Sequence, residues 1–367
     1  MKKNEKTILA LLCIAVLVLS GSAFLTHRSA VSAQTSYYET QLEAAGRLED
    51  YFAAIRGYKA ERGVPLSADD IHGTGMIGLP YTDITTTSGA LEAKRTAAWP
   101  DMAALCVRML HEAGVRPGDT VGAGFSGSFP GMNLAVVAAC ESMGVELICI
   151  SSVGASTYGA NDPQLTFPEM LWLLKEDALV ETASAAVTMG GYHDVGADME
   201  PSTAQTIKER LADAGLPLSE REDFGENIRF RQGLYESMGP IRCFIAVGGN
   251  LTSLGMGEEG ASLGQGVLQP GRQIRLSDGS GLVQRYLADG IPVINLLNLK
   301  KIMADYSMPY DPAVWPEAGT SAVYTTTQYS MQWIFFGLAV TAALLGMCLY
   351  IRRKPRSRQQ DRKERGE

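Results

Sequence analysis

Two uncharged apolar runs, one near each end of the chain, constrain its folding more than any other feature. Residues 7–25 (TILALLCIAVLVLSGSAFL) and 331–351 (MQWIFFGLAVTAALLGMCLYI) are each long enough, at about 1.5 Å per helical residue, to cross about 30 Å of hydrocarbon. A lone apolar segment in lipid satisfies its backbone groups internally only as a helix. Tyr329, Trp333 and Tyr350 lie near the ends of the second run, where amphipathic rings favour the lipid–water interface. Lys2, Lys3 and Lys6 precede the first run, and Arg352, Arg353 and Lys354 follow the second. Basic residues resist translocation, so this pattern predicts a cell-membrane protein in contact with the lipid bilayer. Its parts are then a cytoplasmic N-terminus (1–6), a transmembrane helix (7–25), a second one (331–351) and a basic cytoplasmic tail (352–367), with residues 26–330 extracytoplasmic. The alternative for the first 33 residues is a cleaved signal peptide, because Val31-Ser32-Ala33 offers small residues at a cleavage position. Against it, His27 and Arg28 hold that position unusually far from the apolar run. The expected side of the middle region is the same in both cases.

The net charge of -8 conceals an asymmetry, since the basic residues at the two ends leave the middle at about -15. Binding nucleic acid needs a basic footprint to displace counterions from phosphates. The one basic run here is the short tail beside a membrane helix, so no nucleic acid is expected as a partner. Hydrophobic residues make up 46% of the chain, enough to require a folded middle rather than a disordered one. Cys106, Cys140, Cys149 and Cys243 sit in apolar periodic stretches without a CxxC spacing. They read as buried thiols, with a Cys140–Cys149 disulfide as the alternative in an oxidising compartment. Four histidines without an HxH or HExxH spacing give no zinc pattern, and no cofactor motif is evident.

In the middle, Leu42, Ala45, Leu48, Phe52 and Ile55 mark one apolar stripe of a helix over 37–61, expected beside the membrane as part of a 26–97 element of helix and loop. A helix follows from Pro100 to about His111. Five apolar runs then read as strands: 120–125, 145–151, 184–190, 241–247 and 291–297. Helical patterns at 130–143, 168–179, 202–214 and 281–289 separate most of them, which predicts an α/β domain over 98–307 with a mainly parallel, Rossmann-like open sheet. Residues 215–240 and 251–280 read as irregular, and 308–330 as an extended linker to the second span.

In such a sheet, ligands gather beyond the carboxyl ends of the strands. The residues there are small and polar: Ser126-Gly127-Ser128, Ser151-Ser152 through Ser156, Gly190-Gly191 with His193 and Asp194, Gly248-Gly249-Asn250, and Asn298. Turns of this kind expose backbone N–H groups that can hold a carboxylate or phosphate, and each can also be only a tight strand-to-helix turn. Gly124-Phe125-Ser126-Gly127-Ser128 approaches a nucleophile elbow. A triad on Ser126 would draw on His193 with Asp194 or Asp198, although an acid adjacent to the histidine is poorly placed to orient it. Thr85-Thr86-Thr87-Ser88-Gly89 reads as a polar turn region before the helix at Pro100. Its functional alternatives are an anion contact through Lys94 and Arg95, or a threonine nucleophile freed by internal cleavage.

Four stretches, TGMIGLPYTDITTTSGALEAKRTAAWPD, GFSGSFPGMNLAVVAACESMG, SSVGASTYGANDPQLTFPEM and MGGYHDVGADM, resemble the poly-γ-glutamate system protein family, and the two-span arrangement agrees. The resemblance implies an accessory role in the synthesis, export or surface handling of poly-γ-glutamate beside a membrane-bound synthesis complex. It assigns no residue a catalytic role. The readings it leaves open are a binding subunit for the polymer or a partner subunit, a Ser126-dependent amidohydrolase or transpeptidase, and, by fold analogy alone, a small-anion or phosphosugar site.

Overall fold

The computed structural model describes residues 3–257, 262–271 and 274–353; Met1, Lys2 and residues 354–367 of the expected cytoplasmic ends lie outside the described residues. The chain divides into a unit made from its two ends, up to Thr35 and from Thr325, and a unit spanning Ser36–Tyr324.

The end unit holds helix α1 (Lys3–Arg28) with strand β1 (Val31–Gln34), and strand β10 (Thr325–Gln328) with helix α12 (Gln332–Arg353). Both helices are long and apolar enough to cross a membrane by length and composition. β1 and β10 pair antiparallel, Val31 opposite Gln328 and Gln34 opposite Thr325. The helices meet where both are small. A Cβ on Gly337 would lie 2.2 Å from Ser22 Oγ, so glycine there permits the close crossing. Cys348 also approaches the Ile8 carbonyl, which fixes the two helices as an antiparallel pair.

The Ser36–Tyr324 unit is built on a six-stranded sheet. Its strands are β3 (Thr120–Phe125), β4 (Glu146–Ser152), β6 (Ser184–Thr188), β7 (Cys243–Val247), β8 (Gly266–Leu268) and β9 (Val293–Leu296). Their order is β6-β4-β3-β7-β9-β8. The first five are the runs expected from sequence and are mutually parallel. β8 is an antiparallel edge strand on β9, inside a segment expected to be irregular. Three residues opening on glycine carry too little alternation to be read as a strand.

Both sheet faces are covered, and side chains alternate between them as the pleat requires. Val121, Ala123, Phe125, Cys149, Ile245 and Leu296 join one core with helices α2 (Tyr38–Glu61), α4 (Asp101–Glu112), α5 (Pro130–Met143) and α6 (Phe167–Glu176). Ile148, Ile150, Phe244 and Val293 join the other with α8 (Phe224–Tyr235) and α10 (Leu282–Ala288). α2 is therefore a core helix: Ala44, Leu48, Phe52 and Ile55 are fully buried. Gly122 lets α8 lie on the sheet, since a Cβ there would be 3.0 Å from the Tyr235 ring, and the Tyr235 hydroxyl donates to the Ala123 carbonyl.

α8 corrects the irregular reading of 215–240. Its inner positions are Asn227, Ile228, Arg231 and Tyr235, and the two polar ones broke the apolar period. The segment expected as a linker also differs. Met308, Val323 and Tyr324 are buried, Trp315 stacks on His72 with ring centroids 4.0 Å apart, and Ser321 and Tyr324 donate to the buried Asp101 carboxylate. The proline-interrupted sequence hid this packing because it has no regular period. The four middle cysteines are buried and free, and burial pushes the Cys106, Cys149 and Cys243 thiols up to about 12.

Candidate functional site

The strand order reverses at β3: the chain moves outward through β4 and β6, then returns to the other side of β3 for β7 and β9. Loops leaving β3 and β7 therefore diverge, and a crevice opens at the carboxyl ends. A cleft of about 650 Å³ lies there. Ser128 and Phe129 after β3, Gly249 after β7, and Asn298 and Lys300 after β9 line it, together with Ser156 and, from the segment before α5, residues 87–90, Ala93 and Lys94.

The 87–94 segment reaches the rim through a second, two-stranded parallel sheet, in which β2 (Thr85–Thr87) pairs with β5 (Ala155–Ser156) beyond the end of β4. The approach to β2 is pinned by Asn161. Its side chain accepts from the Leu79 N–H and donates to the Leu79 carbonyl and the Thr85 hydroxyl. A Cβ on Gly78 would sit 2.0 Å from the Gly159 carbonyl, so only glycine admits this contact. Helix α3 (Leu91–Ala97) then packs on the start of α5, where a Cβ on Gly131 would be 2.6 Å from the Ala97 carbonyl. That fit carries Lys94 under the rim. The threonine run is thus a strand, and Thr85 is buried within the Asn161 network.

Lys94 is buried, with 3% of its surface exposed. Its ammonium group donates to the Ser128 carbonyl at 2.6 Å and to Ser156 Oγ at 2.7 Å, and it lies 3.6 Å from the centre of the Phe129 ring. Among the described residues it forms no ion pair. Burial lowers its pKa from the ordinary 10.5 to about 7, because a desolvated ammonium with neutral partners is disfavoured. The unfolded chain keeps this proton to about 10.5, so this lysine's contribution makes stability rise with pH between about 7 and 10.5. Arg95, its neighbour, turns away and pairs with Asp311 through two hydrogen bonds.

The other sequence-derived candidates divide into rim and scaffold. Ser126 and Ser128 are buried: Ser126 Oγ donates to Ser128 Oγ at 3.0 Å and accepts from the Ser128 N–H, while Ser128 Oγ accepts from the Ser156 N–H at 2.9 Å. Gly248 packs against Ser126, with a Cβ position 3.0 Å from Ser126 Cβ. Gly127 is wedged beneath the carbonyls of residues 152–154. Ser151 bonds Ser184, and Ser152 bonds the Phe125 carbonyl; both are buried parts of the sheet. Gly190 and Gly191 have φ of 70° and 65° and pack against Ser152 and Asp198. Asn250 caps helix α9 (Leu251–Leu254) by accepting from the Ser253 N–H.

The alternative of a triad on Ser126 is not assembled in this structure. His193 is exposed and its ring packs edge-on against Tyr192 at 4.2 Å, whereas the Ser126 hydroxyl is held within its own loop. Asp194 is turned inward to Arg231, Asn227 and Thr188. The residues that sequence reasoning did not join are Lys94 and Ser156, 62 positions apart, with Phe129 and Lys300. A lysine on a short helix gives no periodic signal of its own burial.

A larger depression, about 950 Å³, lies at the opposite end of the strands and includes Thr120, Glu146 and Glu141. One of its carboxylates, Glu141, already accepts from the N–H groups of Glu181 and Thr182 and from the Thr182 hydroxyl. The carboxyl-end cleft is the better site on topology. No family model, curated protein or solved structure matches this chain.

Proposed function

We propose that the protein is a membrane-anchored accessory component of poly-γ-glutamate synthesis or export, whose Rossmann-like α/β unit holds carboxylates of a γ-linked glutamate chain, or of an acidic partner subunit, in the carboxyl-end cleft. One observation carries this reading: among the described residues the cleft is lined by Lys94 and Lys300 and by no Asp or Glu, in a region whose net charge is about -15. The exposed Lys300 supplies a local positive charge in an otherwise acidic region, which suits a ligand that is anionic where it is gripped. Lys94, Ser128, Phe129 and Ser156 also fall within the stretches that carry the family resemblance.

Binding should depend on the free α-carboxylates. A γ-linked glutamate oligomer titrated calorimetrically into the nanodisc-embedded protein is expected to bind about tenfold more tightly than its α-methyl ester, a difference of about 1.4 kcal/mol. Lys300→Glu should weaken the acid form and leave the ester unchanged. Equal affinity for acid and ester, or no binding of either, would remove the polymer from consideration.

In the same reading α1 and α12 span the membrane with both chain ends cytoplasmic and residues 26–330 outside. The antiparallel helix pair supports ends on one side, and exposed Val16, Leu17, Phe335 and Phe336 give it an apolar exterior suited to lipid. α1 is read as uncleaved, because His27 and Arg28 hold the Val31-Ser32-Ala33 position far from the apolar run. Protease added to spheroplasts should therefore digest the Ser36–Tyr324 unit and leave an N-terminal epitope tag protected in the membrane fraction. A protected unit would reverse the orientation, and loss of the tag from membranes would establish cleavage.

A further inference from the structure

We propose that Lys94 and Ser156 form a serine–lysine acyl-transfer pair, in which the Lys94 amine accepts the Ser156 proton while Ser156 Oγ attacks an amide or ester carbonyl seated in the cleft. The two atoms are 2.7 Å apart, the reach a general base requires, and both residues line the cleft. Among the described residues Lys94 has only neutral partners and no carboxylate. Its other bond goes to the neutral Ser128 carbonyl, and the Phe129 ring closes its remaining side.

The lowered pKa of about 7 gives a substantial neutral fraction at ordinary pH, as a base needs. The other titratable or charged groups around it do not restore the charge: Lys300 and Tyr310 line the cleft, and Arg95 is paired with Asp311. Gly89 keeps the approach clear, because a Cβ there would sit 2.8 Å from Ser156 Oγ and 3.2 Å from Lys94 Nζ. The Ser156 N–H bond to Ser128 Oγ holds the backbone that carries the hydroxyl.

In the forward step the Ser156 oxygen bonds the carbonyl carbon and its proton passes to Lys94. The tetrahedral adduct then expels the amine or alcohol, which takes that proton, leaving an ester on Ser156. Water or an incoming amine gives its proton to Lys94, attacks the ester and releases Ser156, which regains the proton. Substrates are amides or esters beside a free carboxylate, a class that includes the γ-glutamyl bond. The inference takes the cleft from the reading above but does not require its polymer.

A biotinylated fluorophosphonate, which phosphonylates activated serines with loss of fluoride, tests the pair on the full chain in nanodiscs, with peptide mass spectrometry locating the tag. Tagging is expected at Ser156, at a rate that rises with pH through a midpoint near 7 to a plateau at higher pH. Lys94→Met should slow it about a hundredfold or more and Ser156→Ala should abolish it, with thermal unfolding confirming that the variants fold. The wild-type pH profile decides the matter even where a variant does not fold. No tag at Ser156, a rate flat with pH, or a rate unchanged in folded Lys94→Met overturns the pair. Oligomer binding without Ser156 tagging defeats this inference alone, and tagging without oligomer binding defeats the polymer reading alone.

Discussion

Arg231→Met is expected to destabilise the Ser36–Tyr324 unit by about 3–5 kcal/mol, because it strands a buried carboxylate. Arg231 and Asp194 are only 2% and 5% exposed and are 2.5 Å apart. Without the guanidinium, Asp194 keeps only the Thr188 hydroxyl and the Asn227 amide. The loss extends to the backbone. His193 and Asp194 are consecutive non-glycine residues at φ of 55° and 63°, a strained arrangement that persists only while its surroundings hold it. Thermal unfolding should show a fall of about 6–10 °C, at roughly 2 °C per kcal/mol for a unit of this size. Replacing both partners with apolar residues should cost less than the single change, since no buried charge is then left unpaired. A loss below about 1 kcal/mol for Arg231→Met would mean that the pair is solvated.

Gly127→Ala should cost about 1–3 kcal/mol, and Gly127→Val more, as overpacking at a rigid site. The added Cβ would lie 2.7 Å from the Val153 carbonyl, 2.9 Å from that of Gly154 and 3.2 Å from that of Ser152. All three are backbone atoms, so the connection from β4 to β5 must move as a whole. That movement displaces Ser156, and the functional effect should exceed the stability effect. Both oligomer binding and Ser156 tagging should fall in Gly127→Ala protein that remains folded. Gly233→Ala is the matched control. It lies in α8 with open space around it, so the same added methyl should raise stability by up to about 1 kcal/mol through helix propensity. Calorimetry on the two variants separates the cases, and equal effects of opposite expectation, with Gly127→Ala neutral, would show that the β4–β5 connection yields.

The expected helix over 130–143 and the five parallel strands match α5 and β3, β4, β6, β7 and β9 closely, because buried parallel strands and amphipathic helices write their environment into apolar spacing. The two spanning-length helices were legible for the same reason: continuous hydrophobicity needs no partner to be recognised. The sequence also placed Ser128 and Gly249 at the strand ends where the cleft lies.

The pairing of Lys94 with Ser156 came from the tertiary structure alone. It depends on β2 adding to β5, on α3 seating against Gly131 and on Gly78 and Gly159 touching, contacts between segments far apart in the chain. Local propensity carries no information about such contacts, and burial, which sets the chemistry of Lys94, is a property of the assembled fold. Arg231 and Asn227 show the same limit from the other side. They are polar residues at inner positions of α8, where spacing argues for solvent, and their place inside was decided by Asp194, which the fold delivers to meet them.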